Sequence, residues 1–198
     1  MIPRQFLIAT TILFVVAIGM AVYLWQLRRH ETLAPRSVGA AQHVTPPPSG
    51  PTEAATIFVA YDGPGELRAR PISIPLVSGR QQRAETLLRA LLSIYQEKSS
   101  SHPLASGAEI RNVYLIDPGA AVVDVNAAFV SGQTSGILAE ELTVASMIQT
   151  LTANIQGLNR VKILVDGKDR DTLAGHADLS GYYDVEQVAE LTKQLSAQ

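Results

Sequence analysis

An uncharged apolar run near the start of the chain sets the first constraint on how the protein folds. The 22 residues 6–27 read FLIATTILFVVAIGMAVYLWQL and contain no Asp, Glu, Lys or Arg. A helix of that length reaches about 33 Å, which is enough to cross a bilayer hydrocarbon core of about 30 Å. Tyr23 and Trp25 lie near one end, where amphipathic rings favour the membrane interface. The run therefore predicts a single transmembrane helix whose partner is the lipid bilayer.

A cleaved signal peptide is the alternative reading of this run. Signal peptides have an apolar core of about 7–15 residues that ends at small residues. Here the apolar run continues past Gly19-Met20-Ala21, which is a poor cleavage site. An uncleaved anchor is favoured for that reason. The chain also has no cysteine, which excludes a lipid-modified cysteine, a disulfide and a thiolate metal site.

The basic residues beside the run leave its orientation open. Arg4 precedes it within the short end formed by residues 1–5, and Arg28 and Arg29 follow it. Positively charged flanks favour the cytoplasmic side, and here the two flanks are nearly balanced. The charge pattern alone therefore does not decide which side of the membrane the rest of the chain occupies.

Residues 28–54 have the composition of a linker. They hold five of the eleven prolines of the chain and few large apolar side chains. Such a segment cannot bury enough surface to offset its conformational entropy. We predict a disordered or polyproline-like tether that reaches about 30 Å as a coil and about 80 Å when extended. Pro46-Pro47-Pro48 could instead be a docking peptide, but a spacer is favoured.

Residues 55–198 are numerous enough to form one domain with its own core. They carry 12 Lys and Arg against 16 Asp and Glu, a net charge of −4, and contain no basic run. Nucleic-acid binding requires the opposite charge balance, so a nucleic-acid partner is not expected. The same balance argues against attraction to an acidic lipid surface.

Hydrophobic periodicity predicts the element order β-β-α-β-β-α-β, followed by a tail helix. Pro71 and Pro75 place the second strand at a sheet edge or strand end. Paired strands separated by helices are typical of an α+β fold, with two helices packed on one face of a mixed sheet. We predict strands over 55–61, 67–74, 110–116, 121–125 and 161–165, and helices over 83–97, 138–154 and 184–198.

No motif in the sequence indicates a metal, nucleotide or phosphate site. The chain has no HxH, HxxxH or HExxH spacing and no GxSxG, GxGxxG or GxxxxGK[ST] motif. The acidic segment 166–171 (DGKDRD) lacks the ligand spacing of a calcium loop and fits a solvated turn after a strand. The sequence therefore predicts no cofactor and no metal-ligating residue.

One pair of carboxylates could in principle act on a glycosidic bond, namely Asp124 with Glu140 or Glu141. Each has a simpler local explanation. Asp124 alternates out of a strand between two valines, so we expect it to be exposed. Glu140-Glu141 opens a helix, where acids favour the helix dipole. The spacing of Ser101-His102 does not favour a catalytic triad, so no catalytic residue is predicted.

The folded part resembles a known domain family in the order and spacing of several motifs. These motifs are VDVN at 123–126 with Phe129, Glu140 or Glu141 followed by QTLT at 149–152, VKILVDG at 161–167, Gly175-His176, and upstream IFVAYDG and RAETLLRALL. In these motifs the folded part is similar to the GerMN domain, the sporulation and spore germination domain also found in cell-wall-associated membrane proteins and lipoproteins of bacteria that do not sporulate. The resemblance covers about residues 55–183.

The resemblance implies a small α+β domain outside the cytoplasmic membrane that binds or scaffolds envelope components, and it brings no established catalytic residues. We therefore predict a single-pass cell-membrane protein with its C-terminal domain outside the cytoplasm, bound to a peptidoglycan component or another envelope protein. Two alternatives stay open. One is a peptidoglycan hydrolase that uses the carboxylate pair, and the other is an adaptor that faces the cytoplasm.

Overall fold

The computed structural model describes residues 50–195. The predicted transmembrane helix at 6–27 and all but the last residues of the predicted linker at 28–54 lie outside the described residues. Within residues 50–195, no helix is both long enough and apolar enough to cross a membrane.

The described part confirms the predicted order of strands and helices, and it adds two short elements, a five-residue helix and a two-residue strand. Within the described residues, the predicted bounds of the longer elements agree with the structure to within three residues, and the last three residues of the predicted tail helix, 196–198, lie outside the described part. The strands are β1 (Thr52–Tyr61), β2 (Glu66–Pro75), β3 (Ile110–Ile116), β4 (Ala120–Val125), β5 (Arg160–Val165) and β6 (Tyr183–Asp184). The helices are α1 (Arg80–Tyr95), α2 (Ala127–Ser131), α3 (Ile137–Asn154) and α4 (Val185–Leu195).

The strands form two sheets, so the prediction of one mixed sheet is wrong. β1 and β2 make a separate antiparallel pair, while the second sheet has the order β3-β4-β5-β6. In that sheet β4 pairs antiparallel with β3 and parallel with β5, and β6 pairs antiparallel with β5. The fold is α+β with one mixed sheet and one hairpin.

The outer edge of β1 is closed by side chains rather than by another strand, which explains why the sheets separate. Three amides of β1 that face away from β2 donate to side chains on α1 and α3. The pairs are Thr56 with Asn154 Oδ1 (3.2 Å), Phe58 with Thr150 Oγ1 (2.9 Å) and Ala60 with the Tyr95 hydroxyl (2.9 Å). Since these amides already have partners, no further strand can pair with them.

The opposite edge of the hairpin is formed by β2, as its prolines predict. Pro71 lies opposite Thr56, whose backbone points away from β2. In an antiparallel pair, two residues that face each other direct their backbone N–H and C=O groups either both towards the partner strand or both away from it. The backbone of Pro71 therefore also points away from β1. Its missing N–H therefore removes no bond between the two strands, and it weakens pairing by an outside strand.

β4 lies in the middle of the main core and is buried at all six positions. On one face Val123 packs with Ile163 of β5, which lies directly opposite it in the register. Leu151 of α3 belongs to the same core and is fully buried. Ile163 and Leu151 therefore share one core.

Two boundaries of the folded part are set by specific contacts. β1 begins at Thr52, so residues 52–54, predicted to end the linker, belong to the strand instead. Glu53 in that stretch pairs with Arg83 of α1 at 2.5 Å. At the other end Asp184 caps α4, because its Oδ1 accepts the amides of Glu186 (2.9 Å) and Gln187 (3.1 Å).

Candidate functional site

Asp124 is a buried structural residue and not the exposed one that its strand pattern predicts. Only 6% of its surface is exposed. Its Oδ1 accepts the amide of Gly167 at 2.7 Å, and Arg111 Nε lies 3.9 Å from its Oδ2. The alternation rule fails here because the turn after β5 folds back over the end of β4 and covers the carboxylate.

That turn is the acidic segment predicted to be a solvated turn. Asp166 and Gly167 both have positive φ angles, 50° and 72°, and Val165 pairs with Lys168 across the turn. Two central residues with positive φ make the tight turn that suits Asp-Gly. Asp166 points outward to Arg111 at 2.6 Å. Within residues 50–195 no group of three or more His, Asp or Glu side chains is arranged to hold a metal ion.

Asn126 and Phe129, the other residues of the VDVN motif segment, also have structural roles. Asn126 Oδ1 accepts the amides of Phe129 (2.9 Å) and Glu109 (3.0 Å), and its Nδ2 donates to the carbonyl of Gly107 at 2.8 Å. The side chain thus caps α2 and fixes the loop before β3. Phe129 is buried in the core.

Glu140 holds the loop that leads from β5 towards α4. Its side chain is fully buried. Oε2 accepts the amides of Ala174 (2.9 Å), His176 (2.9 Å) and Ala177 (3.0 Å), and Oε1 contacts His176 Nδ1 at 2.9 Å. Burial by itself raises the pKa of Glu140, but the bonds from the His176 ring and the three amides outweigh burial and lower the pKa to about 2. Glu140 opens α3 as predicted, but its main role is to anchor this loop.

The structure therefore does not support the carboxylate pair considered for a hydrolase. The Asp124 carboxylate is hydrogen-bonded to the turn at 166–167, while the Glu140 carboxylate is hydrogen-bonded to the loop at 174–177. Neither side chain lines any of the three cavities described below. Glu141, the third candidate, is exposed on the next position of α3 and does line one of them.

A triad-like arrangement does occur, at His102, but it is buried. His102 Nδ1 lies 2.5 Å from Asp62 Oδ1, and Nε2 lies 2.7 Å from Thr143 Oγ1. His102 is 1% exposed and Thr143 is completely buried, so no substrate can reach the hydroxyl. Tyr95 packs edge-on against the His102 ring, with the ring centroids 4.7 Å apart. The arrangement joins the turn after β1, the loop after α1 and helix α3, and its geometry is that of a structural support.

Concave surfaces lie on both sides of helix α4. An open groove of about 550 Å³ separates the β1–β2 hairpin from α3 and α4, and Phe58, Leu67 and Val185 are among its lining residues. A more enclosed cavity of about 260 Å³ lies between α3, the 176–178 loop and α4. A third cavity of about 370 Å³ lies beside α1 and the start of β3, near Arg89 and Glu109.

The cavity between α3 and α4, here called the α3–α4 recess, combines apolar and hydrogen-bonding groups. Burial, together with the negative charges of Asp178, Glu141 and Glu140, raises the pKa of Tyr183 to about 12. The pKa of Asp178 is lowered by its hydrogen bonds from Ser180. The lining residues are Glu141, Ala145, His176, Ala177, Asp178, Tyr183, Val188, Leu191 and Thr192.

No sequence pattern pointed to this recess. Two of its polar residues, His176 and Asp178, come from the irregular segment between β5 and β6, and Tyr183 lies in the two-residue strand β6, which is too short to show a periodicity. The one available signal was Gly175-His176 in the family resemblance. It gave the position of His176 without a role.

The comparisons with known proteins decide the family of the chain. The sequence profile of the family described as "Germane: Sporulation and spore germination" matches residues 57–171, which is more than half of the chain. The chain belongs to this family. No curated protein sequence matches it. The chain thus contains a GerMN-like domain, and the recess residues His176, Asp178 and Tyr183 lie beyond the matched part.

Three solved structures are similar to the GerMN-like domain. The tandem GerMN domains of the sporulation protein GerM from Bacillus subtilis match with a TM-score of 0.52 and 18% identity, over 69% of this chain and 48% of that chain. The first GerMN domain of the same protein matches over 65% of this chain and 93% of that chain, with 18% identity and a TM-score of 0.45. A predicted lipoprotein from Clostridium perfringens matches over 70% of this chain and 91% of that chain, with 20% identity and a TM-score of 0.47. The match to the tandem domains supports the α+β fold.

Proposed function

We propose that the protein is a non-catalytic binding module of the bacterial cell envelope. The observation that carries this proposal is the use of its acidic motif residues. The carboxylates of Asp124 and Glu140 each accept hydrogen bonds from backbone amides of a loop, so neither one is available for acid–base chemistry. What remains accessible is a set of concave surfaces around α4, and such surfaces suit ligand binding.

Membership of the sporulation and spore germination family supports a role in the envelope. We propose that residues 6–27 anchor the chain in the cell membrane as a single span and that residues 28–51 form the tether. The GerMN-like domain then faces the cell wall and binds a peptidoglycan component or another envelope protein. A tether of this length would let the domain reach about 30–80 Å from the membrane surface.

A sedimentation assay tests the binding function. The full chain in neutral detergent is mixed with purified peptidoglycan, and the bound fraction is measured as the chain concentration rises. We expect saturable binding without released fragments. Fragment release that is lost in both Asp124→Asn and Glu140→Gln, with the fold intact, would establish the hydrolase instead.

Protease accessibility tests the orientation. Protease added to intact spheroplasts should remove the GerMN-like domain, because the proposal places that domain outside the membrane. A domain that survives until the membrane is permeabilised would support the adaptor that faces the cytoplasm. A cytoplasmic marker protein that stays intact throughout serves as the control.

A further inference from the structure

We propose that the α3–α4 recess binds a primary ammonium group carried on a short aliphatic chain, as in a lysine-type side chain. The inference deepens the proposed function, on which it rests for the source of the ligand, since the amine would belong to a wall peptide or an envelope protein. The recess is a cavity of about 260 Å³, whereas one liquid water takes about 30 Å³, so an ammonium group and several methylene groups fit.

The rim of the recess carries negative charge. Glu141 is exposed there, and its carboxylate makes no ion pair or hydrogen bond with any residue of 50–195. Asp178 also lines the recess, from the loop before β6. Among the described residues no Lys or Arg lines the recess. Lys162, whose charge acts on Asp178, is bound to Asp169 and the Ser180 carbonyl, each at 2.7 Å. The charge of the recess therefore favours a cationic ligand and disfavours an anion.

His176 can contribute a hydrogen-bond acceptor to the recess when its ring is neutral. Glu140 is ionised and can only accept hydrogen bonds, so the Nδ1 atom that lies 2.9 Å from its Oε1 must carry the proton. In the neutral ring this leaves the lone pair on Nε2 as an acceptor. Because the amides of the 174–177 loop also bond to Glu140, the ring is held on a fixed piece of backbone at the wall of the recess.

The remaining lining completes a site for an aliphatic amine. The Tyr183 hydroxyl has no hydrogen-bond partner among the described residues and can accept a further N–H. Ala145, Ala177 and Val188 are buried side chains that give the recess an apolar surface. An ammonium group has three N–H donors, and its methylene chain matches this apolar surface.

A pair of probes that differ in one group tests the proposal. The full chain in neutral detergent is titrated with n-pentylammonium chloride and, separately, with 1-pentanol, and binding is followed by isothermal titration calorimetry. We expect saturable binding of n-pentylammonium, weaker at high salt because the rim charges are exposed, and no saturable binding of 1-pentanol. Equal binding of the two probes would overturn the proposal, since it would show an apolar site without recognition of the ammonium group.

Variants of the rim locate the binding. Glu141→Gln should weaken n-pentylammonium binding about 2–5-fold, as expected for an exposed ion pair, and Glu141→Lys should abolish it by placing a resident ammonium in the recess. Tyr183→Phe removes only the hydroxyl and should weaken binding modestly. Glu97→Gln, at an exposed position two residues after the end of α1, changes the net charge equally and should have no effect. Unchanged binding in the double variant Glu141→Gln/Asp178→Asn, with an unchanged melting temperature, would contradict the proposal.

The same double variant separates this inference from the proposed function. If n-pentylammonium binds to the parent chain and is lost in the double variant, the recess is supported whether or not the chain sediments with peptidoglycan. If the parent chain sediments with peptidoglycan but does not bind n-pentylammonium, the binding function stands and the recess proposal is overturned.

Discussion

At the scale of single residues, the polar motif side chains of this domain act as fixed partners for loop backbone. Asp124, Asn126 and Glu140 each accept at least one amide from a segment that has no regular hydrogen-bonding ladder of its own. A buried carboxylate is costly unless its oxygens are paired, and here the loop amides supply the pairing. The side chain and the loop therefore stabilise each other, and the loss of either leaves buried polar groups without partners.

Replacement of Glu140 by Gln should destabilise the domain strongly. The amide side chain removes the charge and places an NH2 donor near backbone amides that are themselves donors, so we expect a loss of about 3–5 kcal/mol in the free energy of unfolding. Chemical denaturation measures this loss. Glu141→Gln is the matched control, since Glu141 is exposed on the next position of α3, and it should change stability by less than about 0.5 kcal/mol. Similar effects of the two substitutions would contradict the anchoring role.

The same carboxylate predicts how stability depends on acid. The pKa of Glu140 is lowered from 4.5 to about 2 in the folded state. A lowered pKa means that the unfolded chain takes up the proton first, so the contribution is complete above about pH 4.5 and is lost as pH falls towards about 2. Denaturation midpoints measured across this range should fall less steeply for Glu140→Gln than for the parent. Parallel curves for the two proteins would argue against the assignment.

Gly119 in the turn between β3 and β4 should not tolerate a side chain. Its φ is +81°, and a Cβ there would lie 2.6 Å from the carbonyl oxygen of Gly157. Gly119→Ala therefore combines an unfavourable backbone conformation with a steric clash, and we expect a loss of about 2–4 kcal/mol. Gly63→Ala is the control, because no atom lies within 4 Å of its added Cβ. Thermal melts of the two variants compare them directly.

At the scale of elements, local periodicity was sufficient to predict which helices and strands form and in what order, but not which strands pair with each other. The alternating and apolar segments that became β3, β4 and β5 carry their own signal, since side chains of a strand alternate between faces. The separation of the hairpin depends instead on Asn154 and Thr150, which lie 98 and 92 positions away from the amides they accept. The burial of Asp124 likewise depends on a turn 43 residues away. Contacts of this kind arise only after the fold brings distant segments together, so no local pattern encodes them.

Ile163 of β5 tests the shared core of the main sheet. It is 1% exposed and packs in the same core as Leu151, so Ile163→Ala should cost about 2–5 kcal/mol. Ile116→Ala on β3 is the control, because that side chain is 48% exposed and should cost less than about 1 kcal/mol. Urea denaturation of both variants gives the comparison. A loss below about 1 kcal/mol at Ile163 would mean that the register of β5 is not the one described.

At the scale of the whole molecule, the GerMN-like domain places its irregular segment where a ligand can reach it. The rigid parts, α3 and the mixed sheet, hold the 174–178 loop through Glu140, and α4 forms the second wall of the recess. Binding residues are commonly found on loops that a scaffold positions in this way. The family match reaches residue 171, so the part of the domain that forms most of the recess lies outside the matched region.

The folded part should be stable without the predicted anchor and tether. We expect a chain of residues 50–198 to be soluble and to melt in one cooperative transition. A chain of residues 55–198 should be less stable, because it lacks the start of β1 and the pairing of Glu53 with Arg83 at 2.5 Å. Circular dichroism during heating compares the two. A soluble 50–198 chain without a cooperative melt would show that the domain does not fold alone.

The bonding of β1 along both edges has a mechanical consequence. The proposed tether enters the domain immediately before Thr52, so any pulling force between membrane and wall would be applied first to this strand. β1 is held by β2 on one side and by side chains of α1 and α3 on the other. Peeling it away would require bonds on both sides to break together, including contacts to the two helices that support the core. Under the proposed anchoring, the attachment point of the tether would therefore resist a pulling force between membrane and wall.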